Sequence, residues 1–182
     1  MEILETAGRY RLRLSMDTEP ANPRRDYDHI SRVITVENEK YADIDENGGP
    51  LQYGWDYFSD HENGDDLFIR WARMAHGAVV VQDSPHDGAR SFWYLMPDGL
   101  KEVTDPLEFL AAEIREYRAW AEGDVWGHII EKSVRWQRCE TAEDESMITW
   151  EEVESCWGYI GREYAEREAR ESFVPYKMEA QA

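Results

Sequence analysis

The residues closest to a chemical motif are Asp43-Ile44-Asp45-Glu46-Asn47-Gly48, with acids at alternate positions before a glycine. That is the first half of a calcium loop, in which carboxylates converge around a tight turn. The second half departs from the pattern: Gly54 stands where the bidentate glutamate belongs, and Pro50 and Leu51 fall on ligand positions. A solvated acidic loop is the expectation. The five histidines (His29, His61, His76, His86, His128) show no HExxH or other paired ligand spacing. Asp60-His61-Glu62 and His86-Asp87 set carboxylates beside imidazoles, but neighbouring loop residues rarely point at one ion. Cys139 and Cys156 are too far apart for a CxxC knuckle and read as buried free thiols. Gly48-Gly49 lacks the strand and helix that would make it cradle a phosphate, and no GxSxG or P-loop occurs. No catalytic residue, metal or cofactor is assigned; the expectation is a protein that is not an enzyme and for which metal is dispensable.

Charge carries more information. The 182 residues hold 39 Asp+Glu against 20 Lys+Arg, a net −19 that opposes direct contact with nucleic acid or an anionic membrane. The acids concentrate in two segments. The first holds Glu37, Glu39, Asp43, Asp45, Glu46, Asp56, Asp60, Glu62, Asp65 and Asp66, relieved by Lys40 alone. The second holds Glu140, Glu143, Asp144, Glu145, Glu151, Glu152 and Glu154, with no Lys or Arg between Glu140 and Glu154. Aromatic residues interleave them: Tyr41, Tyr53, Trp55, Tyr57, Trp150 and Trp157. Carboxylates spaced about 5–6 Å on helix turns and strand faces imitate part of the field of a nucleic-acid backbone. These acids, with Trp55 and Trp157, form the candidate binding surface, and mimicry requires them to converge on one face. The competing reading is that each run is a solvated face.

The elements that must carry this surface centre on Thr104–Arg138. Thr104-Asp105-Pro106 starts a helix over about 105–122, and Leu107, Leu110, Ala111, Ile114, Tyr117 and Ala121 give it one apolar stripe. Gly123 ends it, and the residues from Val125 to Lys132 alternate as a strand. Upstream, Tyr10–Met16 alternates with arginines as a half-buried strand, and Asp28–Glu37 leans towards strand. Leu51–Phe58 is an aromatic-rich stretch and Leu67–His76 a helix. Ala78–Val81 and Ser91–Met96 form a hairpin. Trp150–Tyr159 is mixed; Gly161–Ser172 reads as a surface helix, with a frayed tail after about residue 174. Length and order predict one α+β domain with a mainly antiparallel sheet. With no secretory signal, no membrane-spanning stretch and only two cysteines, a cytoplasmic protein is expected.

Two places carry a resemblance. Tyr10-Arg11-Leu12-Arg13-Leu14 followed by Asp17-Thr18-Glu19-Pro20-Ala21-Asn22-Pro23-Arg24 resembles the start of a family of small acidic proteins of phages and prophages. Gly123-Asp124-Val125-Trp126-Gly127-His128-Ile129-Ile130-Glu131 and Glu154-Ser155-Cys156-Trp157-Gly158-Tyr159-Ile160-Gly161 resemble that family's C-terminal half. The likeness spans Tyr10 to about Ala169. It departs at Ser31–Glu37, where the family carries an aromatic and basic segment. With the acidity it implies an inhibitor of the anti-CRISPR or antirestriction type, acting in the host bacterial cell. The expected function is therefore non-enzymatic inhibition of a host defence nuclease, a CRISPR effector before a restriction enzyme, through DNA-mimic-like acidic surfaces. Two alternatives stand beside it: a metal-dependent accessory enzyme of nucleic-acid processing, and an acidic regulatory or structural phage protein without a nuclease target.

Overall fold

The computed structural model describes residues 1–36, 48–84, 90–137 and 146–181. In chain order the strands are β1 (Glu2–Ala7), β2 (Tyr10–Met16), β3 (Arg32–Val36), β4 (Val79–Asp83), β5 (Arg90–Leu95), β6 (Val125–Gln137) and β7 (Ser146–Ile160). The helices are α1 (Pro23–Asp26), α2 (Gln52–Phe58), α3 (Gly64–His76), α4 (Pro106–Ala121) and α5 (Arg162–Gln181). Both sheets are antiparallel, which makes this the expected α+β fold. Contacts gather in two compact units: Met1–Ala21 with Glu122–Ala182, and Asn22–Ala121.

In the Asn22–Ala121 unit the sheet order is β3-β5-β4. Central β5 is buried on both faces, so Ser91, Phe92, Trp93, Tyr94 and Leu95 read as a continuous run rather than an alternation. One face, with Ile34, Val80, Phe92 and Tyr94, packs against Leu51 and Trp55 and against Phe68 and Ala72 of α3. The other, with Val33, Trp93 and Leu95, packs against Leu110, Ile114 and Tyr117 of α4. Asp105 caps α4: its Oδ1 accepts from the backbone N–H groups of Leu107 and Glu108, both at 3.1 Å. The expected stripe begins one turn late, because Leu107 is 59% exposed in the first turn. Helix α4 packs on this sheet, against β4 and β5.

The aromatic stretch Leu51–Phe58 is helical, in a 3₁₀ turn leading into α2. Gly54 is required there, since a Cβ would come within 2.1 Å of the Trp71 ring.

In the other unit the sheet order is β1-β2-β6-β7. The alternation of β2 is as expected: Tyr10, Leu12 and Leu14 are buried and the arginines are half-buried. Leu12 faces Ile130 and Leu14 faces His128 across the β2–β6 ladder. Strand β1 gives no clean alternation in sequence, and its pairing with β2 is interrupted by a bulge between Ile3 and Glu5. The mixed stretch around Trp150–Tyr159 is a single long strand, β7, with two register shifts against β6. Such bulges flip side chains between faces, which hides a strand's period of two.

Helix α5 lays Ala169 and Phe173, both fully buried, against Tyr10, Leu12 and Ile130, and buries Ala165 on the same helix. It also corrects the expected frayed tail. Pro175 interrupts the internal hydrogen bonding at a typical cost of about 3 kcal/mol, yet the helix continues to Gln181. Contacts beyond the proline hold it: Lys177 Nζ lies 2.5 Å from Glu5, while Arg9 and the Tyr10 hydroxyl donate to Glu179 at 2.7 and 2.8 Å.

Candidate interaction surface

Strand β7 carries the described part of the second acidic segment on both of its faces rather than one: Glu152 pairs with Glu131, and Glu151 and Glu154 pair with Lys132 and Ile130. Glu151, Glu152 and Glu154 are exposed on it, and among the described residues no Lys, Arg or His forms an ion pair with any of them. Their partners are neutral. Tyr176 donates its hydroxyl to Glu154 at 2.8 Å, and Ser155 donates to Glu152 at 2.7 Å. The carboxylate of Glu154 in turn pushes the Tyr176 hydroxyl above its usual pKa. Glu151 and Glu154 share a face across the bulge, about 10 Å apart along the strand, a wider spacing than the 3.4 Å per phosphate of one DNA strand.

Exposed apolar side chains flank these acids: Met147, Ile148, Val153 and Trp157. Trp157 is 44% exposed, and its buried part lies over Gly127, where a Cβ would meet the ring at 2.2 Å. The same sheet face holds the ion cluster of this unit. Glu131 accepts from Arg11 Nε at 2.6 Å and from Arg13 Nη1 at 2.9 Å, and the Arg11 guanidinium lies 4.0 Å from the Trp150 ring centre. Burial raises the pKa of Glu131, but the hydrogen bonds of Arg11 and Arg13 outweigh it and hold the carboxyl below its ordinary range. Two guanidiniums share the one carboxylate of Glu131, so this cluster keeps a net positive charge on the face that also carries Glu152.

The first acidic segment is distributed differently. Asp56, Asp60, Glu62 and Asp66 are exposed around α2 and the start of α3, with Tyr53 and Tyr57 exposed beside them. Asp65 is engaged, accepting from Arg90 at 3.0 Å and Gln82 at 2.9 Å. Trp55 is corrected: it is 6% exposed and packed on Phe68 and Phe92, so it is core and not binding surface. Helical rather than strand geometry is the reason. Leu51 and Trp55, four residues apart, turn inward together while Tyr53 and Tyr57 face out. Glu37, Glu39, Asp43, Asp45, Glu46, Glu140, Glu143, Asp144 and Glu145 lie outside the described residues, as does the calcium-like loop as far as Asn47. The two segments fall in different units.

Cys156 is also corrected, being an exposed free thiol and not a buried one. Its neighbour across the ladder, His128, is fully buried and stacked on Tyr159 at 5.7 Å, with neither ring nitrogen hydrogen-bonded to a described residue. Burial pushes the His128 pKa down, against a weaker upward pull from Glu154. The native state therefore holds a neutral imidazole that the unfolded state protonates below about pH 6.5. Stability due to His128 is present above that pH and is lost as pH falls through it. Denaturant unfolding between about pH 7.5 and 5.5 should show a loss of stability, bounded by about 1.4 kcal/mol per pH unit, that His128→Phe removes. An unchanged slope in the variant would assign the pH dependence to other groups.

In the Asn22–Ala121 unit, Ser31, His29 and Arg24 all engage Glu113. This is the described cluster nearest to a catalytic arrangement. The Ser31 hydroxyl donates to the carboxylate and not to His29, and Ser31 is fully buried. A serine nucleophile requires an adjacent base and access to substrate; the cluster instead clamps α1 and the approach to β3 onto α4. Among the described residues no group of three or more His, Cys, Asp and Glu is placed to hold a metal ion, and no helix is long and apolar enough to cross a membrane. Comparison with protein families, curated proteins and solved structures finds no match to this chain.

Proposed function

We propose that this protein works by binding, as a non-enzymatic inhibitor that offers an acidic, aromatic-flanked surface to the basic nucleic-acid groove of a host defence nuclease. The observation that carries the reading is the exposed set Glu151, Glu152 and Glu154 on the two faces of β7, without an ion pair to any described cation and bordered by Trp157 and Val153. A fold that used its acids only for solubility would have no need to set three of them on one rigid strand beside exposed apolar side chains. The net charge of −19 and the resemblance to acidic phage proteins point the same way, with a CRISPR effector preferred to a restriction enzyme as target.

Co-purification with a panel of CRISPR effectors and restriction nucleases, followed by cleavage assays, tests the reading. The expected result is a stoichiometric complex with one nuclease and loss of its cleavage. Unimpaired cleavage across a panel that covers both classes would overturn it.

A further inference from the structure

Strand β7 is outermost in its sheet, and among the described residues no strand pairs with its free side. From Ser146 to Glu152 it matches β6 from Gln137 to Glu131 in unbroken register, ahead of the first bulge. Strand β2 follows β6 only as far as Lys132. The end of the β6–β7 hairpin is therefore a two-stranded ribbon, open on both sides among the described residues. Trp136, Met147 and Ile148 are each more than half exposed on it.

An open edge of this length displays a row of backbone N–H and C=O groups that can bond a further strand. Proteins that leave such an edge unused blunt it with lysine, proline or a bulge. Ser146-Met147-Ile148-Thr149-Trp150-Glu151-Glu152 has none of these, and its only charges are the two glutamates at one end.

We propose that this edge receives an extended, basic segment of the partner protein as an added strand of the sheet. The proposal rests on the reading of the partner as basic and names how it is held. Backbone hydrogen bonds would supply affinity, and side-chain matching would supply specificity. Glu151 and Glu152 point to opposite faces, so the incoming strand carries Lys or Arg on both faces at that end. Opposite Met147 and Ile148 it carries apolar residues. A second copy of this chain fits less well, since it brings another net −19 and its own edge segment Ser146–Glu152 has no Lys or Arg to meet the glutamates.

The test uses the full-length protein, isotopically labelled, with a synthetic peptide of about ten residues, apolar at one end and with adjacent lysines, one on each face, at the other. A control peptide of equal charge carries pairs of adjacent prolines, which remove N–H donors from both of its edges, and cannot form a ladder. The expected result is protection from amide exchange, about tenfold or more, at alternate residues of Ser146–Glu152 with the first peptide only. Weaker binding by Glu151→Gln/Glu152→Gln should accompany it. Equal binding of both peptides without protection of β7 would overturn strand addition while leaving an acidic binding surface. The same protection arising without peptide, in a concentration-dependent dimer, would assign the edge to a second copy. Binding of neither peptide would also overturn the proposal. The nuclease reading is judged separately by cleavage: inhibition that persists without β7 protection removes strand addition alone.

Discussion

Ile114→Asp is expected to abolish the cooperative folding of the Asn22–Ala121 unit. Ile114 is 8% exposed between Leu110 and Tyr117 on α4, facing Val33, Trp93 and Leu95. An unpaired carboxylate in apolar surroundings costs several kcal/mol, a large share of the 5–15 kcal/mol that typically holds a domain together. The variant should lose the near-ultraviolet dichroism contributed by Trp93 and Tyr117. Ile114→Val, which removes one methyl group, should cost only about 1 kcal/mol. A soluble, native-like Ile114→Asp protein would mean that the buried face of α4 is elsewhere.

The second large effect is expected at Glu131. Glu131→Ala leaves the guanidiniums of Arg11 and Arg13 side by side with no carboxylate between them. Breaking a fully buried pair costs about 3–5 kcal/mol. Here both arginines keep about a fifth of their side-chain surface in water, so roughly 2–3 kcal/mol is expected after screening. The pH dependence has a definite sign. The native carboxyl sits below its ordinary range, so its contribution is present above about pH 4.5 and is lost as pH falls below that. Denaturant unfolding of wild type and variant should therefore differ at neutral pH and converge in acid. A constant difference at all pH values would show that lost packing, not charge, is responsible.

The features legible in sequence were those with one dominant period or one strong local signal. Helix α4 has a capping aspartate, a proline in its first turn and an apolar stripe. Strand β2 alternates over its whole length. The features that were not legible depend on partners distant in the chain. Strand β1 exists because β2 pairs with it through a bulge, and β7 loses its period at two register shifts. Tyr53, Trp55 and Tyr57 alternate like a strand but lie on a helix, which turned an expected surface tryptophan into core. The α5 extension past Pro175 depends on Glu5, Arg9 and Tyr10, some 170 residues earlier. Of the candidate surface, composition marked Glu151, Glu152, Glu154 and Trp157. The exposed Trp136, Met147 and Ile148 at the ribbon end were missed, although an apolar pair beside a run of acids was a signal available to the eye.

The binding role proposed for the acids of β7 is open to a direct measurement. Its most direct test is inhibition of the co-purifying nuclease by Glu151→Gln/Glu152→Gln/Glu154→Gln, titrated at low and at raised salt. Exposed charges of this kind contribute under about 1 kcal/mol each to stability, so the triple variant should fold normally. Its inhibition should weaken at least about tenfold, and raised salt should weaken the wild type towards the same level, since exposed charge is screened over about 8–10 Å. Full inhibition by the triple variant at both salt concentrations, with inhibition lost in Trp157→Ala, would contradict that role and make the surface an apolar, shape-matched clamp.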